Sequence, residues 1–88
     1  MLPFDEKQIS DNVFIRKFSK DLSDDELYWH KDKEDRIIRV ISGDDWFFQL
    51  DNNLPILMSK ESDIFIPQKT WHRIVRGNSD LIIKIIKL

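Results

Sequence analysis

The two histidines of this chain occur in the same dipeptide, as Trp29-His30 in the first half and Trp71-His72 in the second. Each dipeptide lies in a segment that is predicted to be a β-strand. Neighbouring side chains of an extended strand point to opposite faces, so each tryptophan can pack on one face while its histidine projects from the other. If the two strands meet in space, the two imidazoles converge.

A charged run follows the first histidine and supplies carboxylates at matching positions. Residues two apart share a face of a strand. As long as the chain stays extended, the residues that share a face with His30 are Asp32, Glu34 and Arg36. Two imidazoles and a carboxylate at one place can bind a transition metal. The chain has no cysteine, so neither a thiolate metal site nor a disulfide can form.

The elements that would position these residues are predicted to be short strands. Runs rich in β-branched and aromatic residues alternate with Gly, Asn, Asp, Ser and Pro turn residues. The predicted strands cover residues 12–18, 27–32, 36–41, 46–50, 54–58, 63–66, 71–76 and 81–88. We interpret residues 1–10 as an arm or a short edge element and residues 19–26 as a loop or single turn. Short strands without a convincing helix favour a small barrel or a sandwich.

Two predicted strands, at residues 46–50 and 81–88, carry apolar side chains on both faces. One barrel interior cannot cover both faces, and an uncovered apolar strand invites association. We therefore expect a homodimer. The alternative is a monomer in which the N-terminal arm covers the second face.

Composition limits the remaining possibilities. A chain of 88 residues makes one domain, and its net charge of −2, with both signs well mixed, disfavours nucleic-acid binding. No stretch is long and apolar enough to span a membrane, and the N-terminus lacks the basic start and apolar run of a signal peptide. We expect a cytoplasmic protein with neither a nucleic-acid nor a membrane partner.

The motif spacing resembles that of the cupins, which are small β-barrels with two signature motifs. The first cupin motif, G-x5-H-x-H-x3/4-E-x6-G, aligns here with Asp24, His30, Asp32, Arg36 and Gly43. The second, G-x5-P-x-G-x2-H-x3-N, aligns with Glu61, Pro67, Lys69, His72 and Arg76. The resemblance implies one all-β domain over residues 1–88. Its fold would be a small antiparallel β-barrel, or double-stranded β-helix (a cupin-like jelly roll), with both imidazoles pointing inward.

The departures from the cupin motifs concern the metal ligands. Metal-binding cupins use both His residues and the Glu of the first motif together with the His of the second. Here Asp32 stands at the second His position and Arg36 at the Glu position. Three motif glycines and the final Asn are also replaced. The resemblance therefore implies a cupin scaffold with an altered site.

The residues that remain form the set of a 2-His-1-carboxylate facial triad: His30, Asp32 and His72. Such a triad accepts Fe(II), Mn(II), Ni(II) or Zn(II) and leaves positions open for substrate. Arg36 would lie beside the ion, where its guanidinium suits a small anionic substrate. Alternatively, Arg36 pairs with Asp32, and the two histidines line a metal-free cavity.

Two further residues are candidate substrate contacts. Glu34 could act as a substitute carboxylate or remain solvated in a charged loop. Gln49 lies in an otherwise apolar strand, so it either finds a polar partner near the site or faces solvent.

Three functions are compatible with these observations. The first is a metal-dependent cupin that performs an oxygenation, isomerisation or lyase step on a small anionic molecule. The second is a metal-free, non-catalytic module that binds a small ligand. The third, implied by the resemblance to cupin-like sugar epimerases, is a metal-free isomerase with His72 or His30 as its base.

Overall fold

A computed structural model describes residues 2–88, and strands dominate this range. One short 3-10 helix occurs, at Asp24–Glu26. The strands are β1 (Asp5–Ser10), β2 (Val13–Phe18), β3 (Arg36–Ser42), β4 (Phe47–Leu50), β5 (Ile56–Leu57), β6 (Asp63–Ile66), β7 (His72–Val75) and β8 (Leu81–Lys87). The prediction of an all-β fold is confirmed.

The strands form two antiparallel sheets. The larger sheet has the order β1-β2-β8-β3-β6, and the smaller has the order β5-β4-β7. The last strand along the chain, β8, is therefore central in the larger sheet, between β2 and β3. No helix among residues 2–88 has the length and apolar composition needed to cross a membrane.

Alternation along the strands decides which side chains enter the core. In β8, Leu81, Ile83 and Ile85 are buried, whereas the residues between them are only partly buried. Ile38 and Val40 of β3 lie beside this row and are buried as well. In the smaller sheet Phe48 is buried. The inner faces of the two sheets thus enclose one hydrophobic core, at one end of which the candidate site lies.

Two predicted elements differ in the structure. Residues 27–32 do not form a regular strand, because a strand needs repeated pairs with a neighbour and this segment makes a single bridge, from His30 to His72. The first ten residues contain a strand, β1, which pairs with β2 and forms the edge of the larger sheet. The edge-element interpretation of this segment is therefore correct within residues 2–10. Met1 lies outside the described residues.

Candidate metal centre

His30 and His72 meet across the single bridge between the segment 27–32 and β7. The backbone N–H of His30 donates to the carbonyl of His72 at 3.0 Å, and the reverse bond measures 2.8 Å. The two ring centroids are 4.3 Å apart. Both rings line a cavity of about 270 Å³. His72 is almost wholly buried, at 3% exposure, whereas His30 is more open. The predicted convergence of the two imidazoles is present.

Asp32 completes a group of three possible ligands. Its Oδ2 lies 3.3 Å from Nε2 of His72, and one ligand atom from each of His30, Asp32 and His72 lies within 4.8 Å of the others. Atoms bound to one ion at about 2.1 Å, in tetrahedral or octahedral geometry, are separated by about 3.0–3.4 Å. The Asp32–His72 separation falls in that range.

The backbone fixes which nitrogen of each imidazole is available. Nδ1 of His72 lies 2.8 Å from the carbonyl oxygen of Thr70, and Nδ1 of His30 lies 3.3 Å from that of Tyr28. A carbonyl oxygen can only accept, so both Nδ1 atoms carry a proton and donate it. In the neutral rings Nε2 then keeps its lone pair. This is the arrangement in which metal-ligating histidines are held.

Asp32 Oδ2 is buried and lacks a hydrogen bond from any residue in the range 2–88. Its distance of 3.3 Å from His72 Nε2 is a contact between two atoms that both carry lone pairs when the ring is neutral. A carboxylate oxygen that faces a lone-pair nitrogen inside a protein is unfavourable unless a proton or a metal ion lies between them. The unsatisfied oxygen therefore fits a bound metal ion.

The pKa values of the site favour the forms that bind a metal. Burial raises the pKa of Asp32, but the contact with His72, when a proton lies on its Nε2, and the charge of Arg36 outweigh burial, so the pKa lies below its ordinary value. Burial of the His30 ring, together with the neighbouring His72, lowers the pKa of His30. At neutral pH Asp32 is thus ionised and His30 is neutral.

Arg36 lies between two carboxylates. Its Nη2 is 3.3 Å from Asp32 Oδ1 and 3.3 Å from Glu34 Oε2. Arg36 thus pairs with Asp32, as the metal-free alternative predicts. The pair uses Asp32 Oδ1 and leaves Oδ2 facing His72. Glu34 does not line the cavity. It holds Arg36 instead, so it is neither an added ligand nor a freely solvated side chain.

Solved structures resemble this arrangement of strands closely. The DMSP lyase DddQ from Ruegeria pomeroyi matches 97% of the chain with a TM-score of 0.80 and 13% identity. A cupin 2 conserved barrel domain protein from Leptotrichia buccalis matches 97% with a TM-score of 0.74 and 20% identity. An RmlC-like cupin from Methanocaldococcus jannaschii, with a double-stranded β-helix fold, matches 96% with a TM-score of 0.72 and 15% identity. The chain has a cupin fold.

The similarity is one of fold. The chain spans 46% of DddQ and 39% of the Leptotrichia protein, but 76% of the Methanocaldococcus cupin. No protein-family model matches the sequence, and no curated protein does either. The cupin resemblance of the two motifs is thus confirmed at the level of fold.

The backbone supports the alignment of the second cupin motif. Glu61 and Lys69 stand where the motif has glycine, and both adopt the left-handed conformation, with φ of 67° and 57°. This conformation favours glycine. The amide of Lys69 donates to the carbonyl of Asp32 at 2.7 Å, so the turn helps to place a candidate ligand. Both positions thus adopt a conformation that glycine favours, although neither residue is a glycine.

Replacing Glu61 with glycine is expected to stabilise the chain. The change removes left-handed strain and is partly offset by the greater freedom of glycine in the unfolded chain, which leaves a gain of about 0.5–1 kcal/mol. The melting temperature should rise by about 2–8 °C. Lys60→Gly is the matched control, because the φ of Lys60 is not left-handed. It should destabilise the chain, and an equal gain in both variants would contradict the explanation.

Gln49, a candidate substrate contact, does not line the cavity. In β4 the buried Phe48 points inward, so Gln49 points outward. Its Oε1 accepts a hydrogen bond from Arg73 Nε at 3.0 Å, and its Nε2 donates to the carbonyl of Asn53 at 2.9 Å. The polar partner expected for Gln49 therefore exists, but on the outer surface.

The two tryptophans occupy the outer surface opposite the histidines, as the alternation predicts. Because His30 pairs with His72, Trp29 stands opposite Arg73 and Trp71 opposite Lys31. Arg73 lies 4.8 Å from the centre of the Trp29 ring, and Lys31 lies 5.1 Å from that of Trp71. These cation–π contacts join the same two segments as the bridge.

Sequence reasoning missed the contribution of the N-terminal segment and β2 to the cavity. Leu2, Pro3 and Phe4 line the cavity, as does Arg16. The Arg16 guanidinium lies 4.1 Å from the centre of the Phe4 ring and pairs with Glu6. Arg16 lies two residues before the buried Phe18 in β2 and therefore shares its face of the strand, which could have indicated that Arg16 points inward.

Proposed function

We propose that this chain is a cupin-fold protein that holds one divalent metal ion with His30, Asp32 and His72, and that it binds a small anionic molecule beside Arg36. The observation that carries the proposal is the buried Oδ2 of Asp32, which has no hydrogen-bond partner among residues 2–88 and faces His72. The Nδ1–carbonyl bonds support it, since they leave both Nε2 atoms free to ligate. Fe(II), Mn(II), Ni(II) and Zn(II) all accept these ligands.

A bound divalent ion would act as a Lewis acid toward an anionic oxygen of the substrate. The residues of the chain orient and screen the site. The two carbonyl contacts hold the imidazoles in one tautomer. Arg36, which is 12% exposed in its side chain, presents its guanidinium to an incoming anion. The apolar walls of the cavity exclude water and strengthen these charge interactions.

A metal-free ligand-binding module is the second candidate function. The contact between Arg36 Nη2 and Asp32 Oδ1, at 3.3 Å, favours it. An arginine beside a carboxylate partly neutralises the charge that would attract a metal. The two functions predict different metal contents, so one measurement separates them.

The test is the metal content of untagged protein after loading with iron, manganese, nickel or zinc and removal of free ion. We expect one ion per chain with at least one of these metals. Arg36→Glu should raise the affinity by about tenfold or more, because it removes a cation and adds a ligand. Arg39→Glu is the control, since Arg39 lies on the same strand but pairs with Asp63 on the outer face. A wild type that stays empty while Arg36→Glu fills would establish the metal-free module.

We also propose that the chain forms a homodimer through the outer face of the larger sheet. A row of apolar residues crosses four strands on that face: Val13, Ile86, Ile37 and Phe65. Phe65 is 52% exposed and lies on β6, the edge strand. The N-terminal strand extends the opposite edge of the sheet and does not cover this row. Exposed apolar rows of this kind typically mark interfaces.

The dimer is tested by light scattering. The wild type should have twice the mass of one chain, and Phe65→Ser should give the mass of a single chain because it places a polar group in the row. Ile9→Ser, at a similarly exposed position on β1 (56% exposed), should leave the mass unchanged. A monomer mass for the wild type at high concentration would overturn the dimer.

A further inference from the structure

The cavity has a polar end and an apolar remainder. The polar end contains His30, Asp32, Arg36 and His72. The other walls come from the inward faces of β3, β4, β6, β7 and β8, and their side chains are Ile38, Phe48, Ile66, Ile74, Ile83 and Ile85. A ligand that fills the cavity thus meets charge at one end and hydrocarbon along its length.

The mouth of the cavity is also apolar. Leu2 and Tyr28 line the cavity and are 67% and 65% exposed, so they stand where it opens to solvent. Phe4 is fixed beside them by Phe18, at 5.4 Å between ring centroids, and by Arg16. The charges near the mouth do not form a second anion site, because Arg16 is paired with Glu6 and the other lining charge is the carboxylate of Glu26.

The charges at the polar end define how much negative charge a ligand can carry. The carboxylates of Asp32 and Glu34 contribute −2 and the guanidinium of Arg36 contributes +1, so these three side chains have a summed charge of −1. A divalent ion changes this sum to +1, which one anionic group neutralises. Arg36 contacts the carboxylates through Nε and Nη2, and its Nη1 contacts no acceptor among residues 2–88. One guanidinium N–H group therefore remains to orient that anion.

We infer that the ligand of the cavity is a monocarboxylate with an unbranched apolar tail, its carboxylate between the metal centre and Arg36 and its tail along the apolar walls. The position of the carboxylate rests on the proposed metal site, whereas the preference for an apolar tail rests on the walls alone. A volume of about 270 Å³ corresponds to about nine water-sized groups. This is enough for a carboxylate and about five or six further carbons, and longer tails reach the mouth.

The experiment is calorimetric titration of metal-loaded protein with acetate, butanoate, hexanoate and octanoate. The affinity should rise about fourfold for each methylene up to hexanoate, because each one is buried against hydrocarbon. Adipate has a second carboxylate at the far end of the same chain and should bind at least about tenfold more weakly than hexanoate, because that charge would be buried without a partner. Equal affinities for acetate and hexanoate, or tighter binding of adipate, would overturn the inference.

A parallel series in metal-free protein separates this inference from the metal proposal. Ethanol, butanol and hexanol carry no charge, and their affinities should also rise with chain length because the walls are the same. If no metal binds but the alcohols follow this trend, the metal proposal fails while the apolar specificity stands. If metal binds and neither series depends on chain length, the inference fails while the metal proposal stands.

Discussion

Replacing His72 with alanine is expected to lower the affinity of the chain for a divalent metal by at least about 100-fold. His72 is the most buried of the three proposed ligands, and its Nε2 lies 3.3 Å from Asp32 Oδ2. Its loss leaves His30 and Asp32 as the only ligands, with the charge of Arg36 opposing the ion. Titration of metal-free protein against a chelator of known affinity measures the change.

Two controls make the His72 result specific. Arg73→Ala changes the next residue along β7, whose side chain stacks on Trp29 on the outer surface, and should leave the metal affinity unaltered. Thermal unfolding without metal shows whether His72→Ala still folds, because removal of a buried ring also creates a cavity. Wild-type affinity in a folded His72→Ala protein would show that His72 is not a ligand.

Replacing Gly77 with alanine should destabilise the chain by about 3 kcal/mol or more. A Cβ at this position would lie 2.1 Å from the carbonyl oxygen of Asp44 and 2.5 Å from Cδ1 of Trp46. Neither neighbour can move easily. Asp44 O accepts a hydrogen bond from Asn78 N at 2.9 Å, and the fully buried Trp46 donates from Nε1 to Ser79 O. The melting temperature should fall by more than about 10 °C.

Gly43→Ala provides the comparison for Gly77. The nearest atom to a Cβ at Gly43 is Cδ1 of Leu81, at 2.9 Å, and this end of a side chain can rotate away. Gly43 has a φ of 141°, so its replacement also introduces strain, but the clash itself is softer. We expect a smaller loss at Gly43. A loss at Gly77 no larger than that at Gly43 would contradict the steric explanation.

The strands and the meeting of the two histidines could be predicted from the sequence. β3 and β8 coincide closely with the predicted segments 36–41 and 81–88, because β-branched runs bounded by turn residues have few alternatives to a strand. The interval from Pro67 to His72 fixed the place of the second imidazole through the cupin resemblance. The segment 27–32 could not be resolved in this way, because an extended conformation does not reveal whether a pairing partner exists.

The orientation of Gln49 and the tight packing around Gly77 could not be predicted from the sequence, for different reasons. The alternation of side chains along a strand shows which residues share a face, but it does not show which face packs on the core. In β4 the alternation gives no answer, because phenylalanine stands on both faces, at Phe47 and Phe48. Only the packing of the second sheet decided that Phe48 is buried. Gly77 lies between the predicted strands 71–76 and 81–88, where its residue type favours a turn. The close approach of Asp44 and Trp46 to it depends on a contact between segments distant in the chain.

The single bridge between His30 and His72 makes the proposed metal centre separable from the sheets. Two of the three proposed ligands, His30 and Asp32, lie on a segment joined to its neighbours by few backbone bonds: the two of the bridge and that from Lys69 to Asp32. Such a segment can open without unpairing any of the strands β1–β8. A bound ion would stabilise the closed state of the segment. Only closed molecules would bind the ion, so the observed affinity would be lower in proportion to the fraction of molecules in which the segment is open. Release of the ion would proceed through this local opening, so the opening rate would set the upper limit to the rate at which the metal leaves. Hydrogen exchange at the two histidine amides measures that opening rate under conditions in which exchange is faster than reclosing.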